Sequence, residues 1–476
     1  MSWETVIGLE VHCQLKTETK LFCGCRNAFG EPPNTLTCPV CTGQPGALPV
    51  LNSAAVELAV RAAVALDCEV AAWSRFDRKN YFYCDLPKGY QISQYDQPYC
   101  SGGGIRLASG KTIRLTRIHM EEDAGKAIHD RGEGTLVDLN RAGVPLIESV
   151  TEPDLASPDE AYEYLTRLKE ILRFAGVSDC DMEKGSLRCD VNISVRRPGE
   201  PLGEKVELKN LNSFRNVRDA SEIEVARQIA VLSGGGEIVQ ETRLFDVDRQ
   251  ETRTMRTKED AEDYRYFPEP DLPPLTLARE RIDAARAALP EAPEARRTRY
   301  VDELGLSEYD AGVLTGDPAV ADFFEAAAAA SKDAKAAANW ISNEVLAALG
   351  DDEVPGDTVD GLRLAPDGLA ELIALVGDGT LSSTAGKKVL RGMLVSGTTA
   401  RDEMRTQGLE QMNDEAELEA LVRAAAEGRE AVLADIRGGN KKAAGALFGP
   451  VMKASGGRAN PRLVQAIIQR IADEGA

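Results

Sequence analysis

The sequence predicts an α+β fold: a sheet-rich N-terminal domain, a helical middle domain and a small helical tail. Three observations carry this prediction. Up to about residue 270, apolar and polar residues alternate with period two between Gly and Asn breaks, the pattern of half-buried strands. Residues 266–275, YFPEPDLPPL, then hold four prolines, a density expected to support neither ladder nor helix. Beyond them Ala, Glu, Leu and Arg recur at helical spacing, as in EARRTRYVDELG and ADFFEAAAAASKDAKAAANWISNEV, and these residues favour helix. The domains are placed at 1–292, 293–398 and 399–476, the last break falling at the turn-rich stretch from Gly397 to Arg401.

Taken in order, VIGLEVHCQL (6–15) reads as a strand. Successive side chains point to opposite faces, so Ile7, Leu9, Val11 and Cys13 enter a core while Gly8, Glu10, His12 and Gln14 face the other way. Three more segments alternate similarly: LVDLNRAGVPLIE leading to Glu148, SLRCDVNISV with Arg188, Asp190 and Asn192 outward, and KVELKNLNSF with Glu207 and Lys209 outward. A solvated sheet face alternates in the same way, but outward Asn, Asp, Arg and Glu suit a functional concave face better than Thr and Lys would. Helices are expected near 53–67, from Ser157 to Gly176, and from 219. Ser157 with Pro158 and Glu160 makes a start signal, and Gly176 a stop.

The chain of 476 residues is 43% hydrophobic, enough for two to four cores. Its formal net charge of -21 argues against non-specific polyanion binding over the whole surface. The end of the chain opposes that charge: from residue 436 there are seven Lys or Arg against Asp473 and Glu474, a net of +5. Lys441, Lys442 and Lys453 are candidate RNA contacts there. No leader and no apolar run of membrane-spanning length is read, so a cytoplasmic protein with reduced thiols is expected.

Two kinds of metal chemistry lie close together. Cys23, Cys25, Cys38 and Cys41 form C-x-C-x12-C-x2-C, near the spacing that closes a tetrahedral thiolate site around structural zinc. The scattered cysteines read as small buried hydrophobes. HMEEDAGK (119–126) packs three carboxylates together, which repel unless a cation or donors neutralise them. On a strand, at most one or two of them reach a shared ion. Glu10, Glu122, Glu148 and Asp190 with His12 suit magnesium, with manganese or a water-mediated His12 contact left open. No G-x-x-x-x-G-K-[ST] loop is present, so a nucleotide would need another frame. FDRKNYFYCDLPKGYQISQYDQP (76–98) mixes cations with aromatics that could stack bases or simply fill a core.

GLEVH, FDRKNYFY, YQISQYDQP, HMEEDAGK, VDLNRAGVPLIE, GSLRCDVNIS, ELKNLNSF and DYRYFPEPDLPPL, in this order, closely resemble the B-subunit family of the aspartyl/glutamyl-tRNA(Asn/Gln) amidotransferases. GALFGPVMKASGGRANPRLV is similar to that family's tRNA-binding tail. The resemblance implies a cradle-like catalytic domain and a ligase, one of three subunits. The A subunit releases ammonia from glutamine, the C subunit tethers, and this subunit uses ATP to phosphorylate the side-chain carboxylate of Glu-tRNA(Gln) or Asp-tRNA(Asn). A cognate aminoacyl-tRNA synthetase is a further partner; a membrane is not. By the family match Mg2+ falls to His12, Glu122 and Glu148, with Glu10 and Asp190 close by as catalytic residues, and Lys79 and Arg188 to phosphate. Zn2+ would be structural only. The rival readings are a noncatalytic zinc-containing tRNA-binding scaffold and a stand-alone metal-dependent phosphohydrolase.

Overall fold

A computed structural model describes residues 2–129, 134–257, 264–409 and 412–474, without the side chains of 256, 257 and 441. It has the α+β architecture expected. The chain divides into two compact units, Met1–Pro293 and Glu294–Ala476.

The first unit is built on a ten-stranded sheet. Glu4–Gln14 lies in its middle, paired antiparallel with Leu187–Arg196 on one side and Pro145–Thr151 on the other. Beyond Leu187–Arg196 come Val206–Lys209, Glu241–Asp246 and Glu251–Thr257; beyond Pro145–Thr151 come Thr112–Glu122 and short edge strands. Among the described strands of this sheet, only Val206–Lys209 and Glu241–Asp246 run parallel, which requires a crossover, and the helix Phe214–Ser233 supplies it.

Ile7, Leu9, Val11, Cys13 and Leu15 are all buried, packing with Ala59 and Val60 of Ser53–Ala65, Leu165 and Leu168 of Pro158–Phe174, and Val217 and Ala220 of Phe214–Ser233. The three helices therefore cover one face of the sheet. Truncating a side chain as enclosed as Ile7 to Ala costs about 2–5 kcal/mol. The opposite face keeps Gly8, Glu10, His12 and Gln14. Ser157 caps its helix by accepting from the Glu160 N–H at 3.1 Å, and Gly176 ends it at φ +68°. The third helix begins earlier than its apolar pattern suggested, because Ser213 caps it through the Asn216 N–H.

The proline-rich run departs from expectation. Arg265–Pro268 forms a ladder with Asp77–Asn80, which in turn pairs with Tyr90–Ser93, and Leu275–Thr276 pairs with Trp73–Ser74. Pro268 ends its strand, where the missing N–H is tolerated.

The second unit is helical and holds two clusters of buried side chains. One runs from Tyr300 to Met404; the other, from Leu418 to Ala472, is built by Glu415–Ala426, Glu430–Arg437, Gly445–Ala454 and Pro461–Glu474. Gly397 does end a helix in the left-handed region. Ala400 and Met404 beyond it still belong to the first cluster, so the change of core comes later than residue 398. Among the described residues, no helix is long and apolar enough to cross a membrane.

Candidate active site

Strand register assembles the site. His12 stands opposite Arg188 on one side and Glu148 on the other, and Glu148 stands opposite His119, giving a row of Arg188, His12, Glu148 and His119 across four strands. One step along, Glu10 stands opposite Asp190. All project from the face that the helices leave open.

Within the row, Glu148 Oε2 lies 3.2 Å from His12 Nε2 and 3.4 Å from His119 Nε2. Glu121 completes the group, with Oε1 3.5 Å from His12 Nε2 and Oε2 3.6 Å from His119 Nε2. One donor atom each from His12, Glu121 and Glu148 falls within 4.8 Å of the other two, a spacing that a single cation could bridge. Glu122 is not part of this group. It faces the other side, where it pairs with Lys88 Nζ and accepts from the Ile92 N–H at 2.9 Å.

The reason is a slip in register between Val150 and Thr151. Ile113 and Leu115 precede the slip in the core, and Ile118 and Met120 follow it there. The parity of Thr112–Glu122 therefore changes, sending His119 and Glu121 to the open face and Glu122 to the core side. A bulge beside a site commonly re-aims side chains in this way.

The electrostatics are those of crowded, interlocked charges. Burial opposes protonation of His119, but Glu148 and Glu121 outweigh it and hold its pKa up at about 9. His12 is raised for the same reason. Burial likewise works against the ionised carboxylates, and the two histidines pull Glu121 down and Glu148 well below the usual range. Glu10 goes the other way: burial, then Glu148 and Asp190, raise it.

Cations ring the group. Arg188 donates to Asp123 at 2.8 Å, and Asp123 also accepts from Gln14 at 3.0 Å. Lys209 bonds Asp190 and lies 3.1 Å from Glu207. Lys79 sits 4.6 Å from the centre of the Tyr264 ring. Tyr95 and Tyr266 stack with centroids 4.1 Å apart. Lys79, Lys209 and the three tyrosines line a polar cleft of about 370 Å³ over Glu10, His12, Glu148 and Asp190.

The four thiols of Cys23, Cys25, Cys38 and Cys41 also fall within 4.8 Å of one another and could hold a metal ion. Cys38 and Cys41 Sγ are 3.9 Å apart, and the Cys38 N–H donates to Cys41 Sγ at 3.2 Å. Gly43 follows at φ +69°, where a Cβ would meet Lys88 Cγ at 2.6 Å; no other residue fits that turn. Lys20, fully buried, bonds the Leu36 carbonyl at 2.7 Å and reaches within 3.6 Å of Cys41 Sγ. Of the scattered thiols, Cys13, Cys68, Cys100, Cys180 and Cys189 are buried and Cys84 is exposed.

In the tail, Lys442 and Lys453 are exposed, as are Arg458 and Arg462; none of the four pairs with a carboxylate among the described residues. The Lys441 side chain lies outside the described residues. Arg423 and Arg470 differ, being held by Glu419 at 2.6 and 2.7 Å.

Sequence reading put Lys209 on the outward face and His119 and Glu121 in the carboxylate-rich stretch without giving them a role, and it missed Tyr264 and Tyr266. The available signal for Glu121 was Ile118 and Met120, whose apolar alternation puts Glu122 with them and Glu121 with His119.

The family model of the GatB/GatE catalytic domain matches residues 5–283, and that of the GatB domain matches 322–471. Three curated relatives are B subunits of aspartyl/glutamyl-tRNA(Asn/Gln) amidotransferases. That of Chlorobium phaeobacteroides (strain BS1) is 50% identical over 99% of this chain and 100% of the relative. That of Caldanaerobacter subterraneus subsp. tengcongensis is 50% identical over 98% and 99%, and that of Persephonella marina 51% over 99% and 100%. With the matched regions containing both the charged row and the tail, the chain belongs to the family of aspartyl/glutamyl-tRNA(Asn/Gln) amidotransferase B subunits.

Proposed function

We propose that this chain activates the side-chain carboxylate of Glu-tRNA(Gln), Asp-tRNA(Asn) or both with ATP, and then joins it to ammonia that an amidase A subunit draws from glutamine. The carrying observation is the group of His12, Glu121 and Glu148, of which His12 and Glu148 line a polar cleft together with Lys79 and Lys209, while Arg188 stands opposite His12 on the next strand. One nitrogen and two carboxylate donors at that spacing fit a divalent cation such as Mg2+, with room for waters on the cleft side. When bound, such an ion supplies charge neutralisation for phosphoryl transfer.

The chain's own residues do the rest. A substrate carboxylate oxygen attacks the γ-phosphorus and ADP leaves. Ammonia then attacks the acyl carbon, inorganic phosphate leaves, and the nitrogen sheds a proton. In this reading Lys79 and Arg188 neutralise phosphate oxygens, and the Tyr95, Tyr264 and Tyr266 wall shields the acyl phosphate from water. The protein carboxylates are assigned to holding the cation, since the substrate carboxylate and ammonia are the two nucleophiles and no protein nucleophile is needed. The exposed cations of the tail are assigned to the tRNA backbone, the cysteine quartet to structural Zn2+, and the compartment to the cytoplasm.

Reconstitution with the A and C subunits and each misacylated tRNA tests the reading. Amide formation should require ATP and charged tRNA, and Glu148→Ala should abolish phosphate release while tRNA still binds. Unchanged amidation by Glu148→Ala would leave a scaffold role, and ATP turnover without tRNA or partner would leave a phosphohydrolase.

A further inference from the structure

The register slip that turns Glu121 toward the cation-binding group also turns Arg117. Thr116 is the extra residue, since Arg117 stands opposite Val150 and Leu115 opposite Thr151. Ile113 and Leu115 lie in the core, so unbroken alternation would carry residue 117 inward after them. The bulge sends it out instead, with His119 and Glu121. Arg117 thereby ends a second row beside that of His12, running Asp190, Glu10, Val150, Arg117.

Arg117 is half-buried and, among the described residues, is the single guanidinium lining the cleft. Its Nη1 donates to the Tyr95 carbonyl at 3.2 Å, and its Nε is enclosed without a partner. No carboxylate among the described residues pairs with it, and Nη2 is uncommitted. The neighbouring cations differ: Arg188 is held by Asp123, and Lys209 by Asp190 and Glu207. A guanidinium anchored at one nitrogen and unneutralised beside a cleft is placed to meet an anion.

The two walls of the cleft carry opposite charge. Toward Leu187–Arg196 and Val206–Lys209 stand Glu10, Asp190 and Glu207, with Lys209 bound between the last two. Toward Thr112–Glu122 stand Arg117, Lys79 and the three tyrosines. A polyphosphate is repelled by the first wall and drawn to the second. In-line displacement puts the attacking carboxylate and the leaving group on opposite sides of the γ-phosphorus. The attacking substrate, an amino acid esterified to RNA, carries an α-ammonium that matches the acidic wall, so the leaving ADP belongs on the Arg117 side. As the carboxylate oxygen bonds to the γ-phosphorus, the bond to the β-phosphate oxygen breaks and its electron pair stays on that oxygen. We infer that Arg117 holds the β-phosphate and neutralises the charge that grows there. The inference rests on the proposed function above and adds to it the residue that serves the leaving group.

The test uses the complete complex with its amidase and small subunits, dialysed to equilibrium against two ligands that differ by one phosphate, ADP and AMP, each with Mg2+. Arg117→Ala should weaken ADP about 10–100-fold, the range for one hydrogen bond to a charged group, and leave AMP unchanged. In turnover, kcat for phosphate release should fall about 100-fold or more, with KM for charged tRNA unchanged. Arg117→Lys keeps the charge and loses the fork, so it should lie between wild type and Arg117→Ala. Free guanidinium should restore part of the rate of Arg117→Ala, and an equal concentration of KCl none. A role confined to holding the Tyr95 carbonyl predicts equal losses for ADP and AMP and no rescue; that result, or an unchanged ADP affinity, would overturn the assignment. Should Arg117→Ala not assemble, the ratio of ADP to AMP affinity in Arg117→Lys decides in its place. Failure of the wild-type complex to form amide would overturn the functional reading alone, and the dialysis arm would still decide the role of Arg117.

Discussion

Glu121 and Glu122 are consecutive in the chain and face opposite sides of the sheet, the first 3.5 Å from His12 and the second paired with Lys88. Their substitutions should therefore separate. Glu121→Gln is expected to slow ATP-dependent phosphate release about 100-fold or more, the scale for removing one preorganised charged partner of a transition state, with a smaller loss of unfolding stability than Glu122→Ala, since glutamine keeps the volume and a hydrogen-bonding group in place. Phosphate release by the reconstituted complex checks the first half and denaturant unfolding the second.

Glu122→Ala should instead act on stability. Its side chain is 3% exposed and that of Lys88 9%, so removal strands a buried ammonium, at a cost of about 3–5 kcal/mol. The double variant Glu122→Gln with Lys88→Met should recover most of that loss. A Glu122→Ala protein with an unchanged unfolding curve would show the pair to be dispensable.

Cys41→Ser should remove one equivalent of zinc per chain by elemental analysis and lower the melting temperature of the first unit. Lys20→Met leaves four thiols in place but deletes the ammonium 3.6 Å from Cys41 Sγ. Outer contacts of this kind are worth about 10–100-fold in metal affinity, readable by competition with a chelator.

In the tail, Lys442→Ala and Lys453→Ala should each reduce the slope of log affinity for tRNA against log salt by about one. Arg470→Ala is the matched control, since Glu419 at 2.7 Å and Glu415 at 3.5 Å already hold that guanidinium. An equal change in slope for Arg470→Ala would mean that charge count alone, not availability, sets binding.

The alternation of residues 6–15 was enough to place Glu10 and His12 on a face apart from the core, because side-chain direction on a strand follows from covalent geometry. The choice between Glu121 and Glu122 was not settled by that rule, since a register slip shared with another strand inverted the parity. Arg265–Pro268 failed for a related reason: proline propensity is local, whereas the ladder with Asp77–Asn80 is a contact across most of the first unit. Tyr266 and Lys79 meet only through that pairing. The cysteine quartet, by contrast, was legible because its spacing is short and its geometry nearly self-contained.

The four-strand row has a consequence for synthesis. Its members come from strands between Glu4 and Arg196, and the central strand is laid down first. On a ribosome adding about 5–20 residues per second, roughly 10–35 s separate the appearance of His12 from that of Arg188. Throughout that interval Glu4–Gln14 has an apolar face and an edge without its partner. The nascent chain should therefore be a chaperone client until residue 196 has emerged, and a pause introduced between residues 151 and 187 should raise aggregation more than the same pause placed after 293.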